Sequence, residues 1–238
     1  MEFQFYAQKF ITFNGKEFDV VLRDETSDFN TIQASLVEDE YGLKDFKFKD
    51  DDLIIDIGSA TGGEALLLSA INPNIKILCF EPLPENAELL TENLSHNKVK
   101  NYAIYQTAVC GKPGWTLIYY GALDSESGRH HHFIGNSLNV PQGKKIYVPA
   151  LTLEEIFRDL KIKSCKMLRM DPEGAEYEIL KKTPIEILKK IDWIVGEHHL
   201  VPRAKMLAAT RGLFRDVPCA WQSEGNLGHF RFERIKNE

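Results

Sequence analysis

Residues 52–70 read DLIIDIGSATGGEALLLSA: an apolar run, a turn with glycines at 58, 62 and 63, then a run rich in Ala and Leu. A short unbroken apolar run between chain breakers is the pattern of a strand buried on both faces, and such strands belong to parallel sheets covered by helices. The same pattern recurs at 53–58, 75–82, 101–109, 165–171 and 192–198, which predicts five such strands. Helical segments fill the gaps. ENAELLTENLSHN after Pro84 has apolar residues at helical spacing, and TLEE from Thr152 is a capping box with Glu155 three residues on. PEGAEYEILKK after Asp171 predicts a third helix with Pro172 at its first position, where a missing N–H is harmless. Strands alternating with helices imply an α/β fold.

Outside this core, residues 1–50 read as a cap made of a hairpin turning at FNGK and a helix through TIQASLVEDEYGL. Residues 51–238 then form a single globular unit. Between the strand-like runs TLIYY and IYVPA, residues 121–145 are polar and rich in Gly and Ser, predicting a long functional loop that carries Arg129, His130, His131 and His132. FRDVPCAWQ and HFRFERI predict a closing antiparallel hairpin. With 29 basic and 35 acidic residues the formal charge is −6, so no global cationic field gathers nucleic acid or anionic lipid. The four cysteines lack metal-ligand spacing and fit a reducing compartment. No signal layout and no apolar stretch near the roughly 20 residues of a membrane helix is present, so the expected location is cytoplasmic. Nothing in the sequence fixes an oligomeric state.

The glycine turn narrows the ligand. Nucleotides bind at the carboxyl ends of parallel strands, where glycine lets the backbone approach the ligand closely. Gly58, Ala60, Gly62 and Gly63 break the G-x-G-x-x-G register of dinucleotide sites, and no Gly-Lys-Ser/Thr follows for a P-loop. What remains is D-x-G-x-x-x-G with Asp56 two residues before the first glycine. That carboxylate would repel a pyrophosphate and attract a cationic amino group. Glu81, ending the next strand, stands where a carboxylate accepts both ribose hydroxyls. A nucleoside joined to a cationic amino acid is S-adenosylmethionine. The candidate cofactor residues are Asp56, Gly58, Ser59, Gly62, Glu81, Pro82, Ala108 and Asp171.

The segments DLIIDIGSATGGEALLLS, ILCFEPLPENAELLTENL, YQTAVCGKPG, VPALTLEEIF, MLRMDPEGAEYEILK and WIVGEHH, in this order, resemble the FkbM family of S-adenosylmethionine-dependent methyltransferases over residues 50–200. The resemblance implies a Rossmann-like class I methyltransferase fold, with a mainly parallel seven-stranded sheet ending in an antiparallel C-terminal hairpin. It also implies O-methylation of sugars or small metabolites. This chain departs from the family pattern at Ala60, where Asn is more common, and at Arg169 and Pro172, where Lys and Val are usual.

Methyl transfer from a sulfonium is an in-line displacement helped chiefly by alignment, while a hydroxyl acceptor must also lose its proton to a carboxylate or imidazole. Asp171 and Glu173 end the fourth strand and Glu197, His198 and His199 the fifth, facing one crevice. The candidate catalytic residues are Asp171, His198, Glu197 and Glu173, with His198 or Asp171 as the base. No motif demands a metal, although a divalent cation held by Asp171, Glu197 and His198 is chemically available. Methylation of a nitrogen or macromolecular acceptor, and a nucleotide-binding module without turnover, are the alternatives.

Overall fold

The computed structural model describes residues 4–123, 130–134 and 144–236. In chain order the elements are β1 (Phe5–Ile11), β2 (Glu17–Arg23), α1 (Asp28–Ile32), β3 (Leu53–Ile57), α2 (Gly63–Ile71), β4 (Lys76–Phe80), α3 (Pro84–His96), β5 (Tyr102–Tyr105) and β6 (Ala108–Val109). Then follow β7 (Gly114–Leu123), β8 (His130–Ile134), β9 (Lys144–Leu151), α4 (Leu153–Asp159), β10 (Cys165–Met170), α5 (Glu176–Lys182), α6 (Ile185–Leu188), β11 (Ile191–His199), α7 (Arg203–Ala209), β12 (Phe214–Asp216) and β13 (Leu227–Arg234).

The central sheet has seven strands in the order β12-β13-β11-β10-β3-β4-β5. β11, β10, β3, β4 and β5 run parallel, and β13 pairs antiparallel with both β11 and β12. This is the expected class I methyltransferase arrangement, with the strand order reversing on either side of β3 and β10. Ligand crevices in open α/β sheets form at such switch points, beyond the carboxyl ends of the strands.

Each face of the sheet buries its own apolar cluster. Ile55, Ile57, Leu168, Met170 and Ile194 pack under α4 to α7, while Ile54, Ile77, Met167 and Val195 pack under the N-terminal segment, α2 and α3. The β1–β2 hairpin turns at residues 13–16 and adds Phe10, Phe18, Val20 and Leu22 to the second cluster. A side chain of α3 and its C-cap residue fasten it. Asn93 Oδ1 accepts the Val21 N–H (2.8 Å) while its Nδ2 donates to the Thr61 carbonyl in the glycine turn (3.0 Å), and Asn97 bonds both the N–H and the carbonyl of Asp19.

Four expectations change. The helix after the hairpin is short: α1 passes at residue 33 into a π-helical turn, Gln33–Glu38, which Asp39 ends in the left-handed region (φ 54°). The 101–109 run divides, β5 joining the central sheet and β6 pairing with β9 of a separate four-stranded sheet, β6-β9-β7-β8. That second sheet also takes in part of the expected 121–145 loop, as the end of β7, all of β8 and the start of β9. Arg129 lies outside the described residues, and His130, His131 and His132 are described only as backbone of β8. Finally, α5 begins at Glu176 and not at Pro172, because Glu173 (φ 55°) and Gly174 (φ 110°) are both left-handed and cannot continue a right-handed helix. The Thr152 capping box is present, with the Thr152 hydroxyl bound to the Glu155 N–H and the Glu155 carboxylate to the Thr152 N–H.

The hairpin shares its core with the sheet, so Leu22→Ala, at a fully buried position, should lower unfolding free energy by about 2–5 kcal/mol in urea titration. A hairpin merely appended to the sheet would show a loss well below this range.

Candidate functional site

At the carboxyl ends of β3, β4 and β10 lies a cavity of about 280 Å³. Phe80, Leu83, Val109 and Ile118 give it an apolar wall. Glu40, Glu64, Glu81, Asp171 and Glu173 give it an acidic one, with Arg23, Lys144 and Arg169 as the cationic lining residues.

One side chain organises the acidic wall. Arg169 is 2% exposed on the sheet face that Ile54, Ile77, Met167 and Val195 make largely apolar. Its register partner on β3 is Asp56. Nη1 donates to the Gly58 carbonyl (2.8 Å) and Asp56 Oδ1 (3.3 Å), and Nη2 to Glu64 Oε1 (3.1 Å) and Asp171 Oδ2 (3.2 Å). The guanidinium lies over the Tyr41 ring, 4.5 Å from its centroid. Burial alone would lower its pKa, but Glu64, Tyr41, Asp56 and Asp171 hold it charged and well above the ordinary value. Burial raises the pKa of Asp56 and of Glu64, and Arg169 opposes both shifts.

Tyr41 completes this group from the N-terminal segment. Its hydroxyl donates to Asp171 Oδ2 (2.9 Å), and its ring packs 4.8 Å from that of His229. Asp171 Oδ1 is buried without a hydrogen-bond partner. Glu40, on the same segment, is pushed up to about 8 by burial and by the nearby Glu64 carboxylate.

Glu81 stands on the opposite side of the glycine turn. Oε2 accepts the Ala60 N–H (2.9 Å), and Oε1 accepts the Leu83 N–H (2.9 Å) and an Asn86 amide N–H (3.4 Å). Asn86 in turn accepts from Arg23, which forms a two-pronged pair with Asp28 at 2.7 and 2.8 Å. Burial raises the Glu81 pKa to about 7 despite those donors.

The predicted residues separate into two groups. Gly58, Glu81, Pro82, Ala108, Asp171 and Glu173 line the cavity. Asp56 and Ser59 are fully buried behind it: Asp56 faces Arg169, and the Ser59 hydroxyl donates to the Asp56 carbonyl (3.0 Å). The turn glycines make room for protein and not only for ligand. A Cβ on Gly58 (φ 78°) would stand 2.2 Å from the Asp171 carbonyl oxygen, and one on Gly62 (φ 101°) would meet Leu90 at 2.8 Å. His198 is fully buried outside the lining, its Nδ1 on the Val201 carbonyl (2.9 Å), and burial lowers its pKa. Glu197 also lies outside the lining, 3.7 Å from His199 Nε2, with its pKa raised to about 7 by burial and Asp171. Tyr41, Glu40 and Glu64 escaped the sequence reading. Glu64 had a visible signal, an acid in the first turn of the helix that follows the glycines.

The sequence profile described as Methyltransferase FkbM domain matches residues 56–217. Methyltransferase 1 of Beauveria bassiana (strain ARSEF 2860) is 26% identical over 166 residues, which cover 63% of this chain and 66% of that protein, just under two thirds of its length. Among solved structures, TYW2 of M. jannaschii in complex with AdoMet is similar at 15% identity, covering 96% of this chain and 87% of that one with a TM-score of 0.48. An rRNA methylase from Streptococcus thermophilus is similar at 10% identity, covering 84% and 95% with a TM-score of 0.48. Among the described residues no helix is long and apolar enough to cross a membrane.

Two measurements test the site's electrostatics. Arg169→Met strands Asp56 and Glu64 as buried carboxylates and should destabilise by about 3–5 kcal/mol in urea titration. Glu81 has a folded pKa near 7 against an ordinary 4.5, so its protonation favours the fold: that contribution is complete below pH 4.5 and lost as pH rises through 7. Glu81→Gln, which mimics the protonated acid, should therefore gain on the wild type between pH 5 and pH 8, by on the order of 3 kcal/mol. A pH-independent difference in thermal midpoint would refute this. By its profile match over most of the chain, the protein belongs to the FkbM methyltransferase family.

Proposed function

We propose that this methyltransferase uses S-adenosylmethionine to methylate a hydroxyl oxygen of a small acceptor, a sugar or related metabolite. The observation that carries the reading is Asp171: it lines the cavity with one carboxylate oxygen fixed by Tyr41 and Arg169 and the other, Oδ1, without a partner.

The lining fits the cofactor. Glu81 is a buried acceptor at the end of β4, where a ribose diol is held in this fold class. Phe80, Leu83, Val109 and Ile118 offer apolar surface for an adenine. Glu40 and Glu64 line the same cavity and give a sulfonium and an ammonium acceptor oxygens, which become attracting carboxylates as a bound cation draws their protons off, in place of the Asp56 contact expected from the sequence. When bound, S-adenosylmethionine supplies an electrophilic methyl carbon whose bond to sulfur breaks with its electron pair leaving on sulfur.

The chain's own groups do the rest. Asp171 Oδ1, left without a partner while Tyr41 and Arg169 hold Oδ2, takes the proton of the acceptor hydroxyl. Ile118 of the second sheet adds apolar surface on the cavity wall, and an approach held in line supplies much of the rate. His198, the other candidate base, lies outside the cavity lining with Nδ1 on the Val201 carbonyl, so the reading assigns the base to Asp171.

Calorimetry with S-adenosylhomocysteine should give one site per chain in the wild type, weakened at least tenfold in Glu81→Ala. With an acceptor in hand from a screen of hydroxylated metabolites, Asp171→Asn should lower kcat by about 10²–10⁴. A lack of S-adenosylhomocysteine binding by the wild type would overturn the cofactor assignment, and an unchanged kcat in Asp171→Asn would overturn the base.

A further inference from the structure

Where β10 and β11 end beside the cavity, Asp171, Glu173 and His199 each present a ligand atom, all within 4.8 Å of one another. His199 Nε2 lies 3.3 Å from Glu173 Oε2 and 3.7 Å from Glu197 Oε2. Its other nitrogen, Nδ1, lies 3.1 Å from Glu176 Oε1, which also accepts the Gly174 N–H (2.7 Å). Glu176 is fully buried, and its Oε2 is without a partner, as is the buried Asp171 Oδ1.

Charge makes this group unusual. Four carboxylates, of Asp171, Glu173, Glu176 and Glu197, surround one imidazole. Among the described residues the guanidinium paired with any of them is Arg169, which reaches Asp171 only and is shared with Asp56 and Glu64. Like charges held this close in a partly dry site repel strongly, and either protons, including one on the His199 imidazole, or a metal cation among them removes the repulsion. The donor set also has the form of a metal site. An imidazole whose Nδ1 is steered by a buried carboxylate directs Nε2 toward other carboxylates, and that outer contact is how proteins orient a histidine ligand.

We propose that Glu173 and His199 bind a divalent cation beside Asp171, whose Oδ1 keeps its part as proton acceptor, with Glu197 beside the ion and Glu176 positioning the histidine. One nitrogen and several carboxylate oxygens suit a first-row ion such as Mn²⁺ better than Ca²⁺, which takes oxygen alone. The site differs from the Asp171, Glu197 and His198 set considered from the sequence: β11 alternates, so His199 faces Glu173 and Glu197 while His198 faces Val201. Resting on the methyltransferase reading above, the cation would receive two neighbouring oxygens of the acceptor, which selects vicinal diols and hydroxy acids.

The test uses the full chain stripped with EDTA and titrated with Mn²⁺ alone, followed by electron paramagnetic resonance. We expect one Mn²⁺ per chain with a ¹⁴N coupling from a bound imidazole. His199→Gln should abolish that coupling and weaken binding at least tenfold, and Glu173→Gln should weaken it comparably. His199→Gln should still bind S-adenosylhomocysteine within about twofold of wild type, which a misfolded variant would not. If His199→Gln fails to fold, the wild-type ¹⁴N coupling and Glu173→Gln decide the matter. Wild-type binding weaker than about 1 mM, Mn²⁺ bound without ¹⁴N coupling, or unchanged binding in both variants would each overturn the site. Mn²⁺ binding without S-adenosylhomocysteine binding would leave the metal site standing and remove the cofactor reading.

Discussion

A single buried guanidinium joins the sheet to the site. Arg169 stands on a largely apolar sheet face, and its two terminal nitrogens reach three carboxylates and a carbonyl from β3, from the glycine turn, from the first turn of α2 and from the residue just after β10. A buried ion network of this kind adds little net stability over apolar residues replacing all of its members, although removing one member alone is costly. It does set the arrangement, because with Arg169 in place Asp56, Glu64 and Asp171 cannot move independently without stranding a charge in a dry environment. Arg is suited to this work where Lys is not: its planar fork reaches two pairs of acceptors at once and lies flat on the Tyr41 ring.

Two paths then tie the N-terminal segment to the site. On one side Tyr41 holds Asp171; on the other, the Arg23–Asp28 pair reaches Glu81 through Asn86. The cavity is therefore closed by residues that precede the first strand of the sheet, and the positions of both predicted ligand-contacting acids depend on them. The second sheet contributes Ile118 and Lys144 to the lining. Specific residues from three separate parts of the chain, rather than the sheet alone, shape what the crevice accepts.

The central strands were legible because both of their faces are buried, which leaves a continuous apolar run in the sequence. The α4 start was legible because a capping box is a local device whose donors and acceptors lie within four residues. The misread features are those decided at long range. Pro172 looked like a helix start, but the turn at Glu173 and Gly174 interposes before α5. Gly58 lines the cavity as its place in the sequence suggested, while the second reason for a glycine there, the close approach of the Asp171 carbonyl, comes from 113 residues away and left no local signal. Tyr41 and Asp171 are 130 residues apart in sequence, and no local pattern announces that they meet. Arg169 was visible as a departure from the family, yet its role follows only from the burial of its partners.

The sign of the charge around the crevice narrows the ligand further than the fold does. The lining carries the acids Asp28, Glu40, Glu64, Glu81, Glu85, Asp171 and Glu173 against Arg23, Lys144 and Arg169, with Arg23 paired to Asp28 and Arg169 to Asp56, Glu64 and Asp171. A pyrophosphate would enter a field that repels it, with the Glu81 carboxylate bound to the Ala60 N–H that a phosphate would need. A ligand bearing a sulfonium and an ammonium enters a field that attracts it, and one with a ribose diol gives Glu81 donors to accept. The same acidic excess extends past Asp171 to Glu173, Glu176 and Glu197, beyond the part of the cavity lined by Glu81 and the glycine turn. The cofactor brings its positive charge to one end of the crevice only. Neutrality at the other end requires protons or a cation, and the imidazole directed there by Glu176 can carry the one or, once deprotonated, bind the other.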